Sequence, residues 1–290
     1  MDLLGLYISK EIFSNFNLFL IGIGLFWMLV ASIQDIRKRE VENWWNFSLI
    51  IIVLAFRAFL SIETWNYWYF LWGLIGLFGG FILANLFYYG RLFAGGDAKL
   101  LMALGTILPL SLDWSINLQI LVVFLLSFLL AGAVYGMIYS FGMMLARFKN
   151  FRKEFSRQFK EYSKMIIFVE AFSLVLILIS AYFNFYLGLA LFSIIFLSPI
   201  LLLYAKAIEE ACMIKLVNKH ELTIGDWLYK PLKVGNKMIA PNWEGLSEKQ
   251  LVLIQKKFKG RVFIKQGLPF VPAFLIAFIL LLLIIYFGLI

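Results

Sequence analysis

The feature that most constrains this chain is its set of long apolar runs, near residues 16–34, 44–62, 67–90, 116–146, 165–183, 185–206 and 268–290. A helix of about 20 apolar residues crosses the roughly 30 Å hydrocarbon core of a bilayer. An eighth run, 98–112, is shorter. It implies a helix that begins below the headgroups, with neighbouring protein satisfying the irregular backbone before it. The composition, 63% hydrophobic and 15% charged, excludes an ordinary soluble domain, where about a quarter of residues are charged, and excludes a disordered chain. The expected fold class is all-α, a polytopic membrane helix bundle of about eight spans.

Eight crossings put 34–44, 91–97, 147–164 and 207–267 on one side. Of the 26 Lys and Arg residues, all but Lys10 and Arg57 fall there once the boundary residues Lys99 and Lys206 are included. The positive-inside rule makes that side cytoplasmic and predicts a multi-pass protein of the cell membrane. The first run ends in Ser32-Ile33-Gln34-Asp35 rather than a small-residue cleavage site, and only Lys10 precedes it as a cation. It reads as a retained span, not a cleaved signal. The net charge of +9, and the aromatic residues between cations in 147–153, could suggest nucleic acid. Directly after a long apolar run, that strip instead fits anionic lipid at the cytoplasmic face, and no nucleic-acid partner is expected.

The long polar stretch 207–267, divided by Gly225, Pro231, Gly235, Pro241, Gly245, Gly260 and Gly267, reads as a small α+β cytoplasmic insert. Within it Ser247 to Lys259, apolar at Leu251, Ile254 and Phe258, has the pattern of an amphipathic helix capped by Ser247. The domain organisation expected is a membrane core over 1–206 with its chemistry in about 16–146, the insert over 207–267, and a final membrane helix over 268–290.

With one cysteine, Cys212, and one histidine, His220, the chain can build neither a disulfide scaffold nor a Cys-rich or two-His metal site. No cofactor is expected. Acidic residues at membrane depth are costly and are therefore functional candidates. Asp35 closes the first span in Asp35-Ile36-Arg37-Lys38-Arg39-Glu40-Val41-Glu42-Asn43, and Asp97 opens the short helix in Ala94-Gly95-Gly96-Asp97-Ala98-Lys99-Leu100. Both fall at the same boundary. Taken singly, Asp35 could be an interfacial carboxylate paired with Arg37 or Arg39, and Asp97 a helix-start acid favoured by the macrodipole. The paired glycines Gly95 and Gly96 are expected to free the backbone to approach another helix and aim the Asp97 carboxylate inward. Lys99 either snorkels to the headgroups or balances the pair's charge.

Two carboxylates within hydrogen-bonding reach hold one proton between them. The ionised member can take a proton from a water that attacks a peptide carbonyl, while the protonated member donates to the developing oxyanion. Neither a metal nor a nucleophilic side chain is needed. Of the other acids, Glu170 is expected to pair with a cation, Glu209 and Glu210 to lie in the headgroup region, and Asp226 to form a turn.

Asp35 followed by Val41-Glu42-Asn43, then Gly95-Gly96-Asp97-Ala98-Lys99-Leu100 about sixty residues later, resembles the membrane aspartyl peptidases that process type IV prepilins and archaeal preflagellins. The resemblance covers residues 16 to about 146, and Gly267-Leu268-Pro269-Phe270-Val271-Pro272 before the final span is similar to the archaeal members. It departs at Ala94, where the family's Gly-x-Gly-Asp pattern has its first glycine, and in lacking the four-cysteine zinc segment of bacterial members that also methylate. The core resembles a six-span enzyme, which implies that the sixth and seventh spans and the insert are elaboration whose role the resemblance does not assign. The resemblance implies cleavage of a short basic leader from prepilin-like or preflagellin-like precursors at the cytoplasmic face, without N-methylation. It makes Asp35 and Asp97 catalytic, with Gly95, Gly96, Asn43 and Lys99 in support. Glu40 and Glu42 are candidates to pair with the leader's cation, against a simpler pairing with Arg37, Lys38 or Arg39. Two other readings stay open: a presenilin-like intramembrane protease, which usually shows Tyr-Asp where this chain has Gln34-Asp35, and a proton-coupled secondary transporter.

Overall fold

The computed structural model describes residue 8, residues 10–235 and residues 237–289. Its elements in chain order are α1 (Asn15–Lys38), α2 (Asn43–Glu63), α3 (Trp68–Tyr89), α4 (Gly95–Gly105), α5 (Trp114–Ala146), α6 (Phe148–Tyr182) and α7 (Tyr186–Cys212), followed by β1 (Ile214–Asn218), β2 (Trp227–Leu228), β3 (Leu232–Val234), β4 (Lys237–Ile239), α8 (Glu248–Lys257), β5 (Arg261–Lys265) and α9 (Val271–Tyr286). Among the described residues six helices, α1–α3 and α5–α7, are long and apolar enough to cross a membrane. The fold is a polytopic membrane helix bundle with a small sheet-containing region.

The chain forms two compact units, Met1–Ile138 with Leu268–Ile290, and Tyr139–Gly267. In the first, α1–α4, most of α5 and α9 share one core that includes Leu20, Met28, Leu49, Leu100, Leu104, Phe124, Phe274 and Phe278. The short helix α4 has 11 residues, about 16 Å of rise and half a bilayer. It ends at Gly105 rather than running on to 112, because the chain turns through Thr106 to Ser111 and buries those residues individually.

What seats α4 against α3 is the absence of side chains. A Cβ on Gly76 would lie 2.0 Å from the carbonyl oxygen of Gly105, and one on Gly105 would lie 2.3 Å from that of Gly76. Gly80, one turn along α3, would meet Met102 O at 3.1 Å. In lipid, where apolar surfaces gain little from leaving the solvent, small residues spaced by four are how helices pack closely.

In the second unit α6 and α7 form an antiparallel pair. The sequence places a loop over 147–164, but α6 runs unbroken from Phe148 to Tyr182. Its polar first half is rich in helix formers and is laced by contacts one turn apart: Arg157 bonds Glu154, and Gln158 Nε2 donates to Glu154 Oε1 at 2.9 Å. The apolar run 165–183 is therefore the second half of one 35-residue helix. After α7 come an antiparallel sheet in the order β1-β5-β2, with Leu216 opposite Phe263 and Trp227 opposite Lys265, and a β3–β4 hairpin. Helix α8 starts one residue after Ser247, whose Oγ accepts from Gln250 N while Gln250 Oε1 accepts from Ser247 N, a reciprocal cap. Leu228, Ile254, Val262 and Ile264 form its small core.

Candidate active site

Asp35 lies in the last turn of α1, where four backbone carbonyls point outward and a negative charge is disfavoured. Its carboxylate is nevertheless buried, at 6% exposure. The compensation comes from the far end of the chain. Asp35 Oδ2 accepts the N–H of Val271 at 2.9 Å. Val271 is the first residue of α9 and is followed by Pro272, so its N–H is one of the unsatisfied donors at a positive helix end. The turn after Asp35 is closed by Arg39, which adopts a left-handed φ of 60° and donates its N–H to Asp35 O at 2.8 Å.

Asp97 sits three residues after Ala94, the N-cap of α4, and its Oδ2 accepts the Ala94 N–H at 3.2 Å. An alanine N-cap returns no side-chain bond, so only half of a capping box forms. Asp97 is half-buried. The two acids, sixty-two positions apart in the chain, are close enough for the charge of Asp35 to act on Asp97. Two positive helix ends, those of α4 and α9, thus serve the two carboxyl groups.

Aromatic packing joins the segments that carry these contacts. Phe93, just before Ala94, packs on Phe128 of α5 at 5.5 Å, on Phe274 of α9 at 5.6 Å and on Phe270 at 6.4 Å. Phe128 in turn meets Phe274 at 4.4 Å and Phe270 at 5.6 Å. Gly132 of α5 leaves room for the Phe270 ring, because a Cβ there would lie 2.8 Å from its Cζ. The loop ahead of Asp97 and the residue beside Val271 are therefore parts of one cluster.

The remaining sequence candidates are distributed as follows. Lys99 Nζ donates to Asn43 Oδ1 at 2.6 Å, tying the start of α2 to the first turns of α4. Gly96 lies against Val41, with a Cβ position 3.9 Å from Val41 N, and Gly95 is as far from Tyr88. Neither glycine has a positive φ, and a Cβ at either would make only ordinary contact, so the conformational freedom expected of them is not used here. Glu42 accepts from Lys38 Nζ at 2.9 Å and from Trp44 Nε1. These donors hold its carboxyl below the usual glutamate range. Glu40 is exposed. In the second unit Asp226 Oδ2 accepts the Thr223 N–H at 2.7 Å and forms a turn. Glu170 Oε1 is buried without a hydrogen-bond partner among the described residues, so the cation expected beside it is not there.

Residues 22–137, which hold both acids, match the pattern of the type IV leader peptidase family. The match covers less than half of the 290-residue chain. The preflagellin peptidase of Methanococcus voltae is 35% identical over 88 residues, which is 30% of this chain and 37% of that protein. The preflagellin peptidase of Methanocaldococcus jannaschii is 32% identical over 87 residues, with the same shares. The chain thus spans little more than a third of the curated relatives it matches. No solved structure matches it.

Two groups in contact with the matched segment lie beyond residue 137 and carried no signal as site residues: the Val271 N–H and the Phe270–Phe274 pair. The available signal was Pro272 after two apolar residues, which marks a helix start with a free first N–H.

Proposed function

We propose that this chain is a membrane aspartyl endopeptidase that removes the basic leader, a class III signal peptide, from prepilin-like or preflagellin-like precursors. The observation that carries the reading is the buried Asp35 carboxylate, bonded to a helix N-terminus and within electrostatic reach of Asp97, inside a segment that matches the leader peptidase family. In this reading the two carboxyls share one proton. The ionised one activates water against the scissile carbonyl, and the protonated one donates to the oxyanion. The tetrahedral intermediate then collapses as the leaving amine takes up a proton. Lys99, held by Asn43, keeps a positive charge near the first turns of α4, and Gly95 and Gly96 form the turn that carries Asp97 past Val41.

The cut lies at the cytoplasmic face of a multi-pass cell-membrane protein. The basic residues along that face attract anionic lipid but repel a basic leader. Local acids offset this repulsion. Glu40 is exposed for the role, and Glu42 takes it by exchanging Lys38 for a cation of the leader. The chemistry ends at hydrolysis, without methylation of the new amino terminus.

The test is coexpression with a prepilin carrying a basic leader. Asp35→Asn and Asp97→Asn, each verified for membrane insertion, are expected to lower processing by about 1,000-fold or more, since members of a concerted catalytic pair fail together. Full processing by either variant removes the dyad. In the same assay Glu40→Lys with Glu42→Lys slows a basic leader more than a neutral one, and equal loss on both removes their role. The mass of the mature product should be that of a free, unmethylated amine.

A further inference from the structure

Arg57 is 3% exposed on α2, six residues from the end of that helix. Among the described residues it forms no ion pair. It donates instead to four main-chain carbonyls: Nε to Thr106 O at 2.9 Å, Nη2 to Ile107 O at 3.3 Å and to Pro109 O, and Nη1 to Tyr69 O at 3.2 Å. Three of these acceptors lie in the turn that leaves α4, and the fourth is in the first turn of α3. Carbonyls at a helix exit have lost their intrahelical donors, and at membrane depth water does not replace them. A planar guanidinium with five N–H groups spread over three nitrogens can serve all four, whereas a lysine has three donors on a single nitrogen and can serve only some of them.

The fold makes room for this side chain. Gly73 of α3 faces its stem, and a Cβ there would lie 2.6 Å from Arg57 Cδ. At the other end of α4, Asn43 of the same helix α2 accepts from Lys99. Helix α2 therefore grips α4 twice, at the end that carries Asp97 and at the end that Arg57 closes. The two gripping residues are 14 positions apart, about 21 Å of helical rise.

We propose that Arg57 is a positioning residue for leader cleavage: by closing the carbonyl end of α4 it sets how far α4 lies along α2, and with it where Asp97 stands relative to Asp35. This rests on the reading of Asp97 as one of the two catalytic acids. Arg57 touches neither acid and acts only through the placement of the short helix. A shift of about 1 Å in a reacting group can cost about 100-fold in rate.

The experiment uses the full-length protein in liposomes with a synthetic prepilin bearing a basic leader, and compares Arg57→Gln, Arg57→Lys, Gly73→Ala and Asp97→Asn. Arg57→Gln is expected to lower kcat by about 100-fold with KM changed less than about threefold, and to displace the pH profile of kcat as the spacing of the acids changes. Arg57→Lys recovers part of kcat, and Gly73→Ala, which pushes the arginine stem aside without removing it, shifts both readouts the same way by a smaller amount. If Arg57→Gln fails to insert, the other two carry the test. Inactive Asp97→Asn beside folded Arg57→Lys and Gly73→Ala enzymes with wild-type kcat and pH profile overturns this proposal alone. The same follows if kcat falls only in step with the folded fraction while the pH profile stays fixed. Full activity of Asp97→Asn removes the underlying reading, and this proposal with it.

Discussion

Helix α1, in the first unit, buries 39% of its most apolar stretch inside the protein, while α7, in the second, buries 11%. Both are equally apolar, with mean hydropathy 2.2 and 2.4, so the same composition serves two purposes. In the first unit apolar residues fill a core that also houses Asp35, Asn17 and Arg57, and each of these three has a main-chain partner. In the second unit the membrane helices leave residues such as Phe168, Phe172, Leu178 and Leu202 exposed for lipid. Hydropathy reports that a helix belongs in a membrane, and burial reports whether its side chains face protein there. A carboxylate kept in a fixed place needs a helix whose side chains face protein, as those of α1 do around Asp35.

The sharpest way to break this contrast is to remove one aromatic ring from each unit. Phe274→Ala, which empties the centre of the cluster around Phe93 and Phe128, should cost about 3–5 kcal/mol of stability and loosen the loop ahead of Asp97. Phe168→Ala, from an exposed pair of stacked rings 6.3 Å apart, should cost less than about 1 kcal/mol. Reversible unfolding in mixed micelles compares the two, and equal losses would show that both units are packed alike.

A subtler test stays on one helix. Gly132 and Gly142 both lie in α5, but only the first faces a neighbour, the Phe270 ring. Gly132→Ala should destabilise by about 1–3 kcal/mol through overpacking, whereas Gly142→Ala, with nothing within 4 Å of its Cβ position, should be neutral or stabilise by up to about 1 kcal/mol through helix propensity. The opposite order, read in the same unfolding assay, would remove the assignment of Gly132 as clearance for Phe270.

The smallest effect belongs to the second unit. Tyr229 donates to Glu210 Oε2 at 2.6 Å, and that bond pushes the phenol above the ordinary tyrosine range. A raised folded value means that the bond's contribution is complete below the unfolded tyrosine pKa and is lost as pH rises through the folded one. Ultraviolet titration against Tyr229→Phe should find this phenolate forming later than an ordinary one, and Glu210→Gln should bring it back. No movement on that substitution would sever the pair.

Membrane spans were legible because hydropathy is a local property, and the runs at 16–34, 44–62, 67–90 and 116–146 each lie on one helix. The extent of α6 was not, because a hydropathy window ends where Lys153 to Lys164 begin, although helical hydrogen bonding continues through them. Asp35 and Asp97 were visible as acids at a boundary. Their environment was not, since the donor to Asp35 is a main-chain group 236 residues away, and a backbone N–H has no residue type to read. Arg57 stood out only as a cation outside the basic side, and its role depends on carbonyls that become free where α4 stops. The glycines taught a further lesson: Gly95 and Gly96 beside the acid are conspicuous but make ordinary contacts, while Gly76 and Gly105, unremarked in the sequence, are the ones whose backbones touch.

That touch restricts which movements the molecule can make. With the Gly105 oxygen seated against Gly76, and that of Gly76 against Gly105, α4 cannot slide or rock on α3 without driving backbone atoms into each other. A displacement of α4 as a whole therefore carries α3 with it, the two helices moving as one lever.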